Sequence, residues 1–295
     1  MPRSNSPRNG RLDRVQLPKS RKPRVLIMGD RSKPGSPELA QRLNEFLQGK
    51  AKVVGIDLKH SSTPIAVKPD LLIVLGGDGA MLAASNRLGK RQVPVMGINF
   101  GTVGFLAAVS RERATDVLQK VLDGEARCEH RELMHTKVIR DRDTVLDTHL
   151  LNEAVVSRTM GCSLVECDLL VDRRPVCTYR GDGVILSTPT GSTAYNLAAG
   201  GPILSPGLDA WVVTPIAPYM LGMRPLVLPG HRVATLRVHQ PALFHADGHV
   251  EFGLRAGDTV RVGPSLRKFQ LVVDEDQRFF SRLRTKLHWG EGPSA

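Results

Sequence analysis

The sequence predicts an α/β domain followed by a β-rich domain, because its pattern of apolar residues changes near residue 127. In residues 22–127, short apolar runs alternate with helical stretches, which is the pattern of a parallel, Rossmann-like sheet. In residues 128–274, short runs are separated by turn residues, as in antiparallel strands. Residues 275–295 are basic and helix-like again, and we expect them to return to the first domain.

The elements of the first domain follow from composition and punctuation. A strand is expected where an apolar run lies between turn residues, and residues 71–75 are apolar throughout, as a strand buried on both faces should be. Ser36 and Pro37 mark a helix start, with Ser36 as the cap. The predicted strands are 23–29, 51–57, 70–75 and 93–98, and the predicted helices are 36–49, 80–88 and 111–123.

The second domain reads as short strands joined by tight turns. Alternating apolar residues mark the strands, and clusters of Asp, Gly and Pro mark the turns. The predicted strands include 136–140, 164–171, 184–187, 232–238 and 259–263, and the predicted turns include 172–173, 256–258 and 263–264.

The charge of the chain is concentrated at its start. The 295 residues carry a formal net charge of +12, and residues 1–24 hold eight basic residues against one acidic residue. Residues 1–21 are also rich in Pro, Ser and Gly, so we expect a disordered basic tail. Basicity is the usual footprint of a nucleic-acid binder, but the aromatic content is only 4%. A non-catalytic nucleic-acid-binding module is therefore an alternative, and nucleic acid is not an expected partner.

Membrane insertion and disulfide bonding are not expected. The longest uncharged run, residues 183–208, is broken by hydroxyl residues, glycines and prolines, so it does not read as a membrane span. The four cysteines form no CxxC pair, which predicts reduced thiols and a cytoplasmic location. No residue is predicted as a protein ligand of a metal ion.

The first motif is Gly76-Gly77-Asp78-Gly79, at the end of the third predicted strand. Ligands bind at this carboxyl edge of parallel sheets, and glycines let the backbone approach a phosphate closely. Backbone N–H groups of Gly76, Gly77 and Gly79 can bind phosphate, while the Asp78 carboxylate can accept a proton from a hydroxyl. The alternative is a plain turn in which Asp78 caps the helix. P-loop, dinucleotide-binding and nucleophile-elbow motifs are absent from the sequence.

Two further stretches carry polar groups suited to a nucleoside. Asn152 and Glu153 lie at the edge of an apolar run and can read an adenine edge or ribose hydroxyls, although an exposed turn is the alternative. Residues 180–203 run from Arg-Gly-Asp-Gly through a strand into Thr-Pro-Thr-Gly-Ser-Thr-Ala-Tyr and end near Gly-Gly-Pro. So many small hydroxyl residues suit ribose and phosphate oxygens.

Together, these three motifs resemble the NAD kinase family. The long block is specific to that family, whereas the glycine-aspartate turn is shared with phosphofructokinases and lipid kinases. The resemblance extends over about residues 23–290 and includes residues 214–218, 224–229 and 280–284. It implies an enzyme that uses ATP and Mg²⁺ to phosphorylate the 2′-hydroxyl of the adenosine ribose of NAD, giving NADP. A lipid or sugar kinase that shares the turn is the enzyme alternative.

The resemblance also implies roles for individual residues. Asp78 falls on the catalytic base, and homodimers or homotetramers are usual in the family. The residues that it places at the NAD site are Asp78, Gly79, Asn152, Glu153, Arg180, Asp182, Thr190, Thr193, Ala194, Tyr195, Asn196, Leu197, Ala198 and His249.

Two positions depart from the family pattern. Ala80 stands where the family usually has Thr after the last glycine, which removes a hydroxyl near the donor phosphates. Asp247-Gly248-His249 stands where the family often has Asp-Gly-Gln, and the charge of a histidine there depends on pH.

Overall fold

The structure is a computed structural model that describes residues 12–59, 63–101, 104–161, 164–274 and 279–288. The described chain forms two compact units. We call residues 11–130 with 269–295 the α/β unit, and residues 131–268 the β unit. No helix within the described ranges has the length and hydropathy that a membrane span requires.

The α/β unit contains both parallel strands and helices. In chain order its elements are β1 (Leu12–Arg14), β2 (Arg24–Gly29), α1 (Ser36–Phe46), β3 (Lys52–Asp57), β4 (Leu71–Leu75), α2 (Asp78–Leu88), β5 (Pro94–Asn99), β6 (Val109–Ser110) and α3 (Ala114–Leu122). The predicted α/β first domain with its parallel sheet is confirmed, and each predicted element has a counterpart shifted by a few residues.

Strands β2 to β6 of this unit pair in parallel. Strand β4 lies between β2 and β5, with Val25 opposite Leu71 and Leu75 opposite Ile98. All five residues of β4 are buried, as expected for a strand covered on both faces. The carboxyl ends of β2, β4 and β5 therefore meet at one edge, and the glycine turn lies there.

One helix start differs from its prediction. The N-cap of α1 is Gly35, with a φ of 81°, and Ser36 is the first helical residue with a buried hydroxyl that forms no cap hydrogen bond. Gly35 fits because its backbone adopts the left-handed region that glycine tolerates. Part of the predicted tail is also structured, since β1 pairs with Arg127–Glu129. Residues 1–11 lie outside the described ranges.

The β unit is built mainly from antiparallel strands. Its elements are β7 (Arg127–Arg140), β8 (Asp143–Leu150), β9 (Glu153–Arg158), β10 (Val165–Val171), β11 (Arg174–Gly181), β12 (Gly183–Ser187), a 3₁₀ turn (Gly191–Thr193), α4 (Tyr195–Ala198), β13 (Ala210–Ile216), β14 (Leu226–Pro229), β15 (Ala234–Val238), β16 (Ala242–Ala246), β17 (Val250–Leu254) and β18 (Thr259–Val273). The long strands β7 and β18 each carry residues of both units. Helix α5 (Phe279–Leu287) belongs to the α/β unit, as predicted for the C-terminal segment.

One sheet of the β unit has the strand order β14-β13-β12-β9-β16-β17. Its central strands β9 and β12 pair antiparallel, with Glu153 opposite Ser187. Strand β16 pairs on the other side of β9 and turns tightly into β17. This order brings the Asn-Glu motif, the start of the threonine-rich block and the Asp-Gly-His turn to neighbouring strand ends. A correction concerns residues 263–264, which lie within strand β18 and not in the predicted turn.

Candidate functional site

The glycine turn connects a buried strand directly to a helix. Strand β4 ends at Leu75, Gly77 is the N-cap of α2, and Asp78 is its first residue. A Cβ atom on Gly76 would lie only 2.7 Å from the Cβ of Ala80, so only glycine fits at that position. The turn thus places the N–H groups of Gly77 and Gly79 and one carboxylate at the carboxyl edge of the sheet. The prediction that the Gly76 N–H binds phosphate is wrong, because this N–H donates to the Ile98 carbonyl at 2.9 Å.

The Asp78 side chain does not cap its own helix. Its carboxylate accepts hydrogen bonds from three consecutive backbone N–H groups: Phe105 to Oδ2 at 2.8 Å, Leu106 to Oδ1 at 2.9 Å and Ala107 to Oδ1 at 3.0 Å. The alternative of a simple helix cap is therefore wrong, because α2 has no side-chain cap bond. The carboxylate is fixed by a loop 27 to 29 residues further along the chain.

The loop that holds Asp78 is itself supported. A Cβ on Gly104 would overlap the Asp78 carboxylate, so this position also requires glycine. The Phe105 carbonyl accepts a 2.6 Å hydrogen bond from Nη1 of Arg282, a residue only 3% exposed on helix α5. The Phe105 ring also contacts that of Phe279, with centroids 6.1 Å apart. Helix α5 thus stabilises the loop that positions Asp78.

Lys33 brings a positive charge to the glycine turn. It lies in the loop between β2 and α1, and its Nζ is 3.7 Å from the position of a Cβ on Gly76. Sequence reasoning missed this residue because it lies more than forty residues before the motif. The rule that ligands bind at the carboxyl ends of parallel strands is the signal that points to this loop.

The Asn-Glu motif is buried, so the expected alternative of an exposed turn is wrong. Asn152 is 7% exposed and Glu153, the first residue of β9, is 8% exposed. The Asp247 carboxylate accepts hydrogen bonds from the N–H groups of Leu151, Asn152 and Glu153 at 2.7, 2.8 and 3.1 Å. Sequence reasoning selected His249 from this turn and missed Asp247, which fixes the motif from about ninety-five residues away.

Burial sets the protonation of these two acids. It raises the pKa of Asp247 to about 6, and the three N–H groups oppose the rise by stabilising the carboxylate. Burial, followed by the charge of Asp247, raises the pKa of Glu153 to about 8. Near pH 7 the pair therefore has an ionised Asp247 and a protonated Glu153.

Two polar atoms of the motif are shielded from solvent and unused within the fold. Asn152 Oδ1 and Glu153 Oε2 have no hydrogen-bond partner in the part of the chain that the structure describes. An unsatisfied buried polar atom costs about 1–3 kcal/mol, so such atoms indicate a ligand, a water molecule or an ion in the working protein.

The hydroxyl groups of the threonine-rich block mainly build the turn itself. Thr188 Oγ1 donates to the Leu151 carbonyl at 2.6 Å and accepts from the Gly191 N–H at 3.0 Å. A Cβ on Gly191 would overlap the backbone of Asn152. The block therefore packs directly against the Asn-Glu motif.

Asn196 has a different role from the one predicted. It is fully buried, its Nδ2 donates to the Ser192 and Pro202 carbonyls at 3.0 Å, and its Oδ1 accepts from Thr214 at 2.6 Å. Its amide is thus used within the β unit, and we assign it to the support of the turn instead of to NAD.

The remaining predicted residues differ in exposure. Arg180 and Asp182 are half-exposed and pair with Glu166 at 3.0 Å and Arg158 at 2.8 Å. Thr190 is buried. The other predicted positions are exposed or partly buried: Thr193, Ala194, Tyr195, Leu197, Ala198 and His249. Gly76 to Gly79 lie in the α/β unit, and every other predicted residue lies in the β unit.

Comparisons with known proteins agree with this division. Residues 25–126 match the ATP-NAD kinase N-terminal domain, and residues 151–273 match the ATP-NAD kinase C-terminal domain. An NAD kinase of Solibacter usitatus is 38% identical over 285 residues, which cover 91% of this chain and 99% of that protein. An NAD kinase of an Azoarcus species is 41% identical over 251 residues, which cover 83% of this chain and 85% of that protein.

The chain belongs to the NAD kinase family. This confirms the predicted family and the predicted enzyme class, a phosphotransferase that converts NAD to NADP. It also decides against the lipid or sugar kinase and the nucleic-acid-binding module.

Solved structures of NAD(H) kinases share the fold. A yeast NADH kinase complexed with NADH has a TM-score of 0.85 at 23% identity, with 98% of this chain and 95% of that chain covered. An NAD kinase from Archaeoglobus fulgidus in complex with ATP has a TM-score of 0.75 at 26% identity, with 89% of this chain and 99% of that chain covered. The predicted fold class of this NAD kinase family member is therefore confirmed.

The first prediction concerns Gly104. We expect Gly104→Ala to lower the rate of NADP formation about a hundredfold, because the new methyl group displaces the Asp78 carboxylate. Gly101→Ala is the matched control, since a Cβ there meets open space. The measurement is the kcat of both variants beside circular dichroism. Equal kcat values for the two variants would contradict the role of the loop.

The second prediction concerns Glu153 and pH. Its folded-state pKa of about 8 lies above the usual value of 4.5. Between pH 4.5 and pH 8, the folded state therefore holds a proton on Glu153 that the unfolded state has lost. The free energy of unfolding should therefore fall as pH rises from 5 to 8, by up to about 1.4 kcal/mol per pH unit relative to Glu153→Gln. Urea unfolding of both proteins at several pH values measures this, and parallel curves would refute it.

Proposed function

We propose that the chain transfers the γ-phosphoryl group of ATP to the 2′-hydroxyl of the adenosine ribose of NAD, giving NADP and ADP. The observation that carries this proposal is the Asp78 carboxylate, fixed beside a glycine turn at the carboxyl edge of a parallel sheet. The ATP complex of the Archaeoglobus relative supports ATP as the donor.

Asp78 acts as the general base in this proposal. Its Oδ2 accepts one N–H group, whereas Oδ1 accepts two, so Oδ2 retains a lone pair for a hydroxyl proton. The 2′-oxygen attacks the γ-phosphorus, its proton passes to Asp78, and the bond from that phosphorus to the bridging oxygen breaks to release ADP. A base of this kind contributes about 10²- to 10⁴-fold to the rate.

The phosphate groups of ATP are held by the turn and by Lys33. The N–H groups of Gly77 and Gly79 lie at the N-terminus of α2, where a helix stabilises anions. Lys33 supplies the positive charge that phosphoryl transfer requires and that the motif itself lacks.

Mg²⁺ enters with ATP as part of the substrate. Kinases hold this ion largely through the phosphate oxygens of the nucleotide. When bound, the ion neutralises charge on the phosphate oxygens.

The adenosine half of NAD is bound by the Asn-Glu motif. Asn152 Oδ1 and Glu153 Oε2 are shielded, unpaired acceptors, and ribose hydroxyls or an adenine amino group would satisfy them. The protonated Glu153 also avoids repulsion of an anionic ligand. We retain Arg180, Asp182, Thr190, Thr193, Ala194, Tyr195, Leu197, Ala198 and His249 as proposed NAD-site residues.

We further propose a cytoplasmic homodimer or homotetramer. The cysteines of the described chain, Cys128, Cys167 and Cys177, are free thiols, which suits a reducing compartment.

The third prediction tests the reaction and its base together. Wild-type protein with NAD, ATP and Mg²⁺ should form NADP, and Asp78→Asn should lower kcat at least a hundredfold with NAD binding retained. An NADP-specific dehydrogenase measures the product, and calorimetry measures NAD binding. Near-normal turnover of Asp78→Asn would remove Asp78 as the base, and absence of NADP with the wild type would remove the function.

The fourth prediction concerns Lys33. We expect Lys33→Gln to weaken turnover at limiting ATP at least tenfold and to leave the KM for NAD unchanged, because its charge faces the donor phosphates. Lys90→Gln, an exposed lysine after α2, is the control. An unchanged KM and kcat for ATP in Lys33→Gln would exclude this role.

A further inference from the structure

Three potential metal ligands lie on one face of the β7–β8 hairpin. His135 on β7 is directly opposite His149 on β8. Asp147 is two residues before His149, and alternate residues of a strand point to the same face. Two ligands spaced by two on one strand and a third directly opposite can therefore converge on one point above the sheet.

The distances support convergence. One ligand atom from each of His135, Asp147 and His149 lies within 4.8 Å of the other two. His135 Nε2 and Asp147 Oδ1 are 2.7 Å apart. The two imidazole rings lie nearly parallel, with centroids 4.5 Å apart at an angle of 8°. Because zinc binds in the plane of an imidazole ring at about 2.0–2.2 Å, one ring must rotate about its side-chain bonds before both rings can bind one ion.

Ser265 orients His149. The Nδ1 atom of His149 is 3.0 Å from Ser265 Oγ, and Ser265 Oγ also accepts a hydrogen bond from the Arg267 N–H at 3.0 Å. In the tautomer with a proton on Nδ1, His149 donates to Ser265 and keeps Nε2 free for a metal.

We propose that His135, Asp147 and His149 form a binding site for a divalent ion of the Zn²⁺ class. Two imidazoles and one carboxylate suit Zn²⁺ and Co²⁺, whereas Mg²⁺ prefers oxygen ligands. Three protein ligands leave one coordination position for water. This site is separate from the proposed reaction and does not depend on it.

Access and charge set the strength of this site. The side chains of His135 and Asp147 are 33% and 49% exposed, so an ion can reach them from solvent. Lys137 Nζ is 3.4 Å from Asp147 Oδ2, and Arg267 lies near His149. These positive charges repel a bound cation and therefore weaken the site.

The fifth prediction is metal binding by the whole chain. Tag-free, metal-free protein without nucleotides is titrated with Zn²⁺ by calorimetry and with Co²⁺ by visible absorption. We expect one ion per chain with the spectrum of four-coordinate Co²⁺. Binding should weaken at least tenfold in His149→Ala and in Asp147→Asn.

The matched control is His239→Ala, because His239 also pairs with a carboxylate, Asp168, at 2.9 Å on the β unit. NADP formation and circular dichroism report whether each variant is folded. Retained binding in His239→Ala with loss in the two triad variants supports the site. Absence of binding by the wild type, or equal affinity in the triad variants and the wild type, overturns it.

Discussion

In each of the two units, one carboxylate accepts three consecutive backbone N–H groups and holds a segment with a proposed function in place. Asp78 accepts those of residues 105–107, and Asp247 accepts those of residues 151–153. Hydrogen bonds to a charged group are worth about 1.5–3 kcal/mol each, and the partners in each case are far apart in sequence. Each set of three hydrogen bonds therefore fixes the conformation of a backbone segment that local propensity alone does not determine.

The two sets of hydrogen bonds have different chemical consequences. The Asp78 carboxylate is itself the proposed base, and its hydrogen bonds to the loop fix its orientation before substrate binds. At Asp247 the carboxylate is buried, and burial of Glu153, followed by the charge of Asp247, raises the pKa of Glu153 to about 8. Such preorganisation is what phosphoryl transfer needs from a protein, because positioning and charge neutralisation supply most of the catalysis.

The sequence allowed prediction of what depends on local pattern. The buried run at residues 71–75 and the glycine turn after it were predicted almost to the residue, because apolar composition and glycine act locally. The Asn-Glu motif was identified from its adjacent amide and carboxylate at the edge of an apolar run, but its burial at the start of β9 was not predicted. Ser36 illustrates the limit at a boundary, since Gly35 takes the cap through a left-handed conformation that no spacing rule reveals.

Contacts between distant segments could not be predicted. Gly104 and Lys33 carry no motif, and no role was predicted for Arg282 within the family-like segment 280–284. Their roles follow only from where the chain brings them. Asn196 is the converse case, in which a motif residue serves the turn and not the ligand. His135 and His149 likewise meet only through strand register, which the alternation of residues alone does not determine.

A double-mutant cycle between Gly104 and Asp78 tests most directly whether the loop acts through the carboxylate. The kcat for NADP formation would be measured for Gly104→Ala, Asp78→Asn and the double variant. If the loop serves only to position Asp78, the double variant should be as slow as Asp78→Asn and no slower. If the loss of kcat in the double variant instead equals the product of the two single-variant losses, the loop does not act through the Asp78 carboxylate.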